Sequence, residues 1–282
     1  MKTHQRIQRW MAILALTSGA PAVAQDVAAV AGDSSRIRLE LNIPAFRLDV
    51  HQDGQPVRSF TVAVGMRQYA TPTGDFAITT IVWNPTWYPP PSDWARNETV
   101  TPPGPSNPMG RVKLAIGNAY FLHGTPAVSS LGKAASHGCV RMHNDDVVAL
   151  AQLIENEPGA LPPGVAPTAP PRNWSTSRTV TLTRPVPVRF VYHLAEVRDA
   201  QLVIHADVYR RATEGMRPHV IDALQRANID SSTVSVESVL QQLSTSRVRP
   251  LRIPIGDVQP PGEAASPMHQ FGREDESCGR LP

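Results

Sequence analysis

Tyr120-Phe121-Leu122-His123-Gly124-Thr125 and Ser136-His137-Gly138-Cys139-Val140-Arg141-Met142 organise this 282-residue chain. The first is a short apolar run that delivers a histidine and a glycine at its end. The second sets a cysteine behind a glycine. A thiolate is the reactive form of cysteine, and an imidazole is the usual group that takes its proton. Glycine lets main-chain N–H groups approach a bound molecule closely. A buried, inert thiol is the alternative for Cys139, since free cysteine is commonly buried. The flanking glycines and the nearby His123, His137 and His143 point instead to a nucleophile.

Outward from this pair the chain reads as strands. Ile37, Leu39, Leu41 and Ile43 alternate with polar residues, the period of a half-buried strand. Phe46, Leu48 and Val50 repeat the pattern, Gln52-Asp53-Gly54-Gln55 supplies a turn, and Val57 to Gly65 returns as a hairpin. After Thr71-Pro72-Thr73-Gly74, a further strand is expected with Phe76, Ile78, Thr80 and Val82 on one face. Val112, Leu114 and Ile116 begin the strand before His123. Between Asn84 and Gly110 proline interrupts any ladder, yet Trp87, Tyr88 and Trp94 lie there. Such a loop is either a packed surface segment or, the favoured reading, a wall or lid over the site. Beyond the cysteine, Asn144 reads as an N-cap with Asp145 and Asp146 in the first turn, and Val147, Leu150, Ala151 and Ile154 keep helical spacing until Glu157-Pro158-Gly159.

Residues 1–24 read as a secretory signal: Lys2, Arg6 and Arg9, an apolar run from Trp10 to Leu16, and small residues up to Ala24. The apolar run is too short to span a bilayer, and the mature chain carries no transmembrane candidate. The chain has 27 Lys+Arg against 24 Asp+Glu. The signal removes three of the cations and no acid, so the mature protein is near neutral and a nucleic-acid partner is not indicated. Residues 25–35 read as a linker, 159–174 as a Pro-rich linker and 247–282 as a disordered tail. Residues 175–246 read as an α+β extension, with strands over Val180–Tyr192 and Leu202–Ile204 and helices over 216–228 and 234–244, that either extends the β domain before it or forms a small partner-binding domain. Cys278, in that polar tail, reads as an accessory or free thiol, with a bridge to Cys139 left open.

Five pieces then carry a resemblance: Thr71-Pro72-Thr73-Gly74, Asn84-Pro85-Thr86-Trp87, Pro103-Gly104-Pro105-Ser106-Asn107-Pro108, His123-Gly124-Thr125 and Ser136-His137-Gly138-Cys139-Val140-Arg141-Met142. In this order, and with this His–Cys spacing, residues 36–158 resemble the L,D-transpeptidase catalytic domain (YkuD-like, ErfK-type), with a weaker echo in the strands to about Tyr209. The resemblance implies a mainly β, sandwich-like domain with a long aromatic lid loop and one or two short helices, followed here by the small α+β region. It implies an exported enzyme of the periplasm or cell wall that acts on peptidoglycan stem peptides as donor and acceptor. A wall or outer-membrane protein is a further candidate acceptor. Cys139 is then the nucleophile, His123 the base, and the Gly124 carbonyl the group that orients it. Main-chain N–H groups of His137-Gly138-Cys139 form the oxyanion hole, supported by Ser136 and Arg141. Thr71, Pro72, Gly74, Trp87, Tyr88 and Thr125 are expected to shape the cleft.

His137 reads as a structural hydrogen-bonding residue rather than a second base, and His143 as a loop or surface residue. His-x-Cys-x3-His lacks the paired spacing of structural zinc motifs, so neither metal nor cofactor is expected. The same residues with water as acceptor would make an L,D-carboxypeptidase. A catalytically silent wall-binding module is the reading from another class.

Overall fold

The computed structural model describes residues 35–117 and 119–258. The signal segment, the linker apart from Ser35, Cys278 and the rest of the tail from residue 259 lie outside the described residues. β1 (Ile37–Asn42) buries Ile37, Leu39 and Leu41 on one face and pairs antiparallel with β2 (Arg47–Gln52). β2 turns into β3 (Gln55–Gly65) through Asp53 and Gly54, with φ of 51° and 79°. Two left-handed residues in a two-residue loop match the right-handed twist of the strands they join.

β4 (Gly74–Trp83), β5 (Val112–Ala115), β6 (Phe121–Gly124), β7 (Ala134–Ser136), β8 (Val140–Met142) and β9 (Arg178–Val191) complete the main sheet. Its order is β2-β1-β9-β4-β5-β6-β8-β3, and β3 pairs again with β2. The sheet therefore closes into a barrel-like ring, where a sandwich was expected. The length of β3 is the physical reason: residues 55–61 pair with β2, while Val62 and Ala63 pair with β8. One strand thus joins what a sandwich would leave as two open edges. β7 adds in parallel to the far end of β3.

Two further expectations change here. The face expected on β4 slips at a bulge between Ile78 and Thr80, so Ile81 and Trp83 follow Ile78 into the core rather than Thr80 and Val82. β9 lies between β1 and β4, so the ring is incomplete at residue 158, and residues 178–191 extend it, the first of the two roles open to that segment. Phe190 and Trp83 are among the largest fully buried side chains of its core. α1 (Asn144–Glu155) adds Val147, Leu150, Ala151 and Ile154 to the same cluster.

A second apolar cluster follows the barrel. β10 (Ala195–Arg198), β11 (Gln201–Ile204) and β12 (Leu251–Pro254) form a small antiparallel sheet. α2 (Arg217–Arg226) and α3 (Val236–Thr245) cover it, with Leu202, Ile204, Val220, Leu224, Val239 and Ile253 inside. β12 falls where the tail was read as disordered from residue 247. Leu251 and Ile253 form too short an alternation to stand out between Pro250 and Pro254, and it is the pairing with β11 that makes it a strand. No helix among the described residues is long and apolar enough to cross a membrane.

Candidate active site

The site is built on three adjacent strands. β5 and β6 pair so that Lys113 lies opposite His123, and β6 and β8 pair in parallel so that His123 lies opposite Arg141. Residues opposite each other in register share a face, and side chains alternate along each strand. Lys113, His123 and Arg141 therefore stand in one row. Leu114, Leu122 and Val140 form the row on the other face, all in the core. Cys139 directly precedes β8 on the face of His123 and Arg141, and the Phe121 backbone N–H points its hydrogen bond at the thiol.

His123 is buried, and its Nδ1 lies 2.7 Å from the Gly124 carbonyl oxygen. Burial pushes its pKa down to about 4; the Gly124 bond works against this, while Arg141 and Lys113 reinforce it. The ring is thus neutral near pH 7. A neutral ring that faces a carbonyl through Nδ1 carries its proton there, which leaves Nε2 as the acceptor. The Cys139 thiol is partly accessible, yet burial pushes its pKa up. The Phe121 N–H, Arg141 and Lys113 pull it back without overcoming that. A thiol and a neutral imidazole are the resting pair.

Behind the cysteine, Ser136 and Thr71 hold the loop. Gly138 donates its N–H to Ser136 Oγ at 3.1 Å, and Ser136 Oγ donates to the Cys139 carbonyl at 2.5 Å. Of the three main-chain donors expected for an oxyanion hole, the turn aims the Gly138 N–H at Ser136. Gly138 has a φ of 112°, a conformation other residues resist, and a Cβ there would stand 3.1 Å from Tyr120. Thr71 is fully buried; its Oγ1 donates to the Gly138 carbonyl and accepts from the Gly65 N–H, both at 2.8 Å. Pro72 follows it, and Gly74, with φ 141°, opens β4.

The proline-rich loop reaches this site. Trp94 stacks on the His137 ring at 3.9 Å and 5°, Tyr69 meets the ring edge-on at 4.9 Å, and Trp87 stacks on Trp94 at 6.5 Å. Where a hydrogen-bonding role was expected for His137, one stacked and one edge-on aromatic contact hold the ring. Burial and the Arg141 charge push its pKa down. Trp87 and Thr101 pair through two backbone hydrogen bonds of 2.9 and 3.0 Å, which ties the loop across its base.

Other expected residues take supporting places. Thr125 is buried, and its Oγ1 accepts the Ala127 N–H at 3.1 Å, so it braces the turn after β6 instead of lining a cleft. Tyr88 stands 69 % exposed on the aromatic loop. Asn144 is not the cap of α1. His143 is, accepting the Asp145 N–H through Nδ1 at 3.3 Å. Asn144 Oδ1 accepts the Arg111 N–H at 2.8 Å and Nδ2 donates to the Thr125 carbonyl at 3.4 Å, tying the end of β6 to the loop before β5.

Two residues had no role assigned from the sequence, although Asn107 lies within one of the five pieces. Lys113 joins the row only once the register is known; its alternation with Val112 and Leu114 was the available signal. Asn107 is fully buried and donates from Nδ2 to the Pro85, Thr101 and Pro102 carbonyls at 2.9–3.0 Å, while its Oδ1 accepts the Met109 N–H at 2.8 Å. A polar residue placed among prolines was the only hint. The three histidines near Cys139 are engaged separately, in a carbonyl bond, a ring stack and a helix cap.

With this geometry in hand, the YkuD family, described as the L,D-transpeptidase catalytic domain, matches residues 36–188, more than half of the chain. The chain belongs to this family. Its L,D-transpeptidase relatives include "Probable L,D-transpeptidase ErfK/SrfK" of Escherichia coli, 34 % identical over 137 residues, covering 45 % of this chain and 43 % of that one. A 55-residue stretch is 47 % identical to "Probable L,D-transpeptidase YbiS" of the same species, covering 20 % and 18 %. The chain spans about half the length of the curated relatives it matches. Among solved structures, an L,D-transpeptidase from Mycobacterium smegmatis is 15 % identical with a TM-score of 0.38, covering 56 % of this chain and 59 % of that one. The family match extends through most of β9, in keeping with a ring that needs that strand.

Proposed function

We propose that this chain is an exported L,D-transpeptidase that transfers peptidoglycan stem peptides through a thioester on Cys139. The observation that carries the reading is the neutral His123 ring, fixed through Nδ1 by Gly124, on the same face of the sheet as the Cys139 thiol. The sulfur attacks the carbonyl at stem position three as Nε2 of His123 takes the thiol proton. Collapse of the tetrahedral adduct breaks the C–N bond, and the same proton leaves on the amine of the terminal D-alanine. An acceptor amine then attacks the thioester, gives its proton to His123, and the thiol recovers it. Splitting one amide exchange into two steps lets a modestly activated thiol suffice, and the donor bond supplies the energy.

Charge in the row favours the anionic stages. Arg141 and Lys113 both act to lower the pKa of the thiol. Positive groups fixed beside developing negative charge need no reorganisation as the reaction proceeds. Because the Gly138 N–H is directed at Ser136, the proposed oxyanion donors are the main-chain N–H groups of His137 and Cys139. Trp94 and Tyr69 on His137, with Trp87 stacked behind Trp94, form the proposed cleft wall. Export to the periplasm or cell wall rests on residues 1–24 of the sequence.

Mature protein incubated with a disaccharide-tetrapeptide, beside Cys139→Ala, tests the proposal. A cross-linked dimer carrying a 3–3 bond, formed only when Cys139 is present, supports the transpeptidase. Tripeptide alone marks water as the acceptor and replaces it with the carboxypeptidase. Unchanged tetrapeptide retained on a column of the protein leaves only the binding module.

A further inference from the structure

We propose that Tyr209, which lies beyond the family-matched residues, positions the nucleophile loop by holding Gly65 and Thr71 from the C-terminal side. The inference rests on the Cys139 chemistry proposed above. The Tyr209 hydroxyl donates to the Gly65 carbonyl at 2.8 Å and accepts the Thr71 N–H at 3.1 Å. Both residues meet the cysteine loop. Thr71 Oγ1 joins the Gly65 N–H to the Gly138 carbonyl, one peptide bond before Cys139. A single phenol thus closes a chain of hydrogen bonds that ends at the Gly138 carbonyl, next to the nucleophile.

The contact is tight and dry. Thr71 is 0 % exposed and Tyr209 7 %. A Cβ at Gly65 would stand 2.0 Å from the Tyr69 carbonyl oxygen, 2.8 Å from the Thr71 nitrogen and 3.0 Å from the Gly138 Cα. The end of β3, the turn before β4 and the cysteine loop converge there with no room for adjustment. A buried polar group that loses its partner has no inexpensive alternative, so the backbone moves instead.

Tyr209 is itself braced from its own side. Its ring stacks on Tyr192 at 5.5 Å, and the Arg211 guanidinium lies over both rings at 5.4 and 4.7 Å. The Tyr209 N–H donates to the Tyr192 hydroxyl at 2.7 Å, and that hydroxyl donates to Asp207 at 2.7 Å. Asp207 in turn accepts the Arg211 and Ala212 N–H groups at 2.9 and 2.8 Å. The hydroxyl therefore presents a fixed point to Gly65 and Thr71, and the role of the segment after β11 becomes the alignment of Cys139.

Tyr209→Phe removes the hydroxyl and keeps the stacked ring. In a Cys278→Ser background, so that one thiol reports, two readouts are taken: kcat and KM on the disaccharide-tetrapeptide, and the rate of Cys139 alkylation by iodoacetamide. Misplacement of a reacting group lowers the rate more than it weakens binding, so kcat is expected to fall about tenfold or more with KM within about twofold. The alkylation rate is expected to change several-fold. Val239→Ala, in the second core, lowers the melting temperature and leaves kcat and alkylation at parental values. Tyr209→Phe with parental kcat and alkylation overturns the proposal. Should that variant lose cooperative melting, Tyr192→Phe reads the same support. A fall in kcat at unchanged KM upholds the proposal, and an unchanged kcat overturns it. Alkylation needs no substrate, so a parent inactive on stem peptides whose thiol still responds to Tyr209→Phe defeats the functional reading and leaves the positioning role standing.

Discussion

A thiol and an imidazole that both rest neutral divide the catalytic work in a definite way. His123 must take the proton as the sulfur attacks, because burial disfavours the separated thiolate and imidazolium. His123→Gln is therefore expected to lower kcat by about 10²–10⁴-fold, the range for losing a general base, in assays of stem-peptide turnover. The acid limb of kcat/KM is expected near pH 4, where the buried ring protonates, rather than near 6.5. The same shift ties stability to pH. As pH falls, the unfolded chain protonates this histidine first, so stability present above about pH 6.5 is lost progressively down to about pH 4, by about 3 kcal/mol. His137 and His193 are also pushed down, mainly by burial, and act in the same direction. Urea unfolding of the parent and of His123→Gln at the two ends of that window separates the His123 share, and parallel losses in both proteins contradict it. At this scale the sequence offered residue types and spacing, which single out His123 and Cys139. Charge environment depends on register across strands, and for that reason Lys113 was not legible.

Asn107 is to the aromatic loop what Thr71 is to the cysteine turn: one buried side chain that engages several backbone polar groups at once. Asn107→Ala leaves the Pro85, Thr101 and Pro102 carbonyls and the Met109 N–H without that partner, and is expected to cost about 2 kcal/mol, read as a lower urea midpoint. Trp94→Ala, by contrast, leaves the loop base paired and frees His137 from its stack; KM is expected to rise several-fold with little change in urea midpoint. Strand periodicity was legible wherever a strand stays regular, as in β1, where Ile37, Leu39 and Leu41 are all buried. It failed in β4, because a bulge after Ile78 reverses the faces and no residue type there announces it. The α1 cap shifted by one residue for a related reason. Asn144 has the preferred capping chemistry, but its amide is committed to Arg111 and Thr125, and His143 caps in its place.

At the scale of the molecule, closure of the ring decides what the sequence could not. Local alternation identified β1, β2 and β3 in order, but a closed ring and a sandwich share that pattern, and only the double pairing of β3 separates them. β9 was readable as a strand, but its place in the ring was only one of two open roles, since it pairs with strands far away in the chain. A chain ended at residue 174 is accordingly expected to lose cooperative thermal unfolding by circular dichroism, because Phe190 and the pairing of β4 go with β9. A sharp melt from that fragment would contradict the ring as a single folding unit. The central claim is that this closed sheet presents Cys139 for acyl transfer, and the direct test is intact-protein mass spectrometry of rapidly quenched reactions with disaccharide-tetrapeptide. A mass gain equal to the disaccharide-tripeptide acyl group is expected on the peptide that contains Cys139, absent from Cys139→Ala and slow to form in His123→Gln. Turnover without that adduct under any quench time, or an adduct on Cys139→Ala, contradicts it.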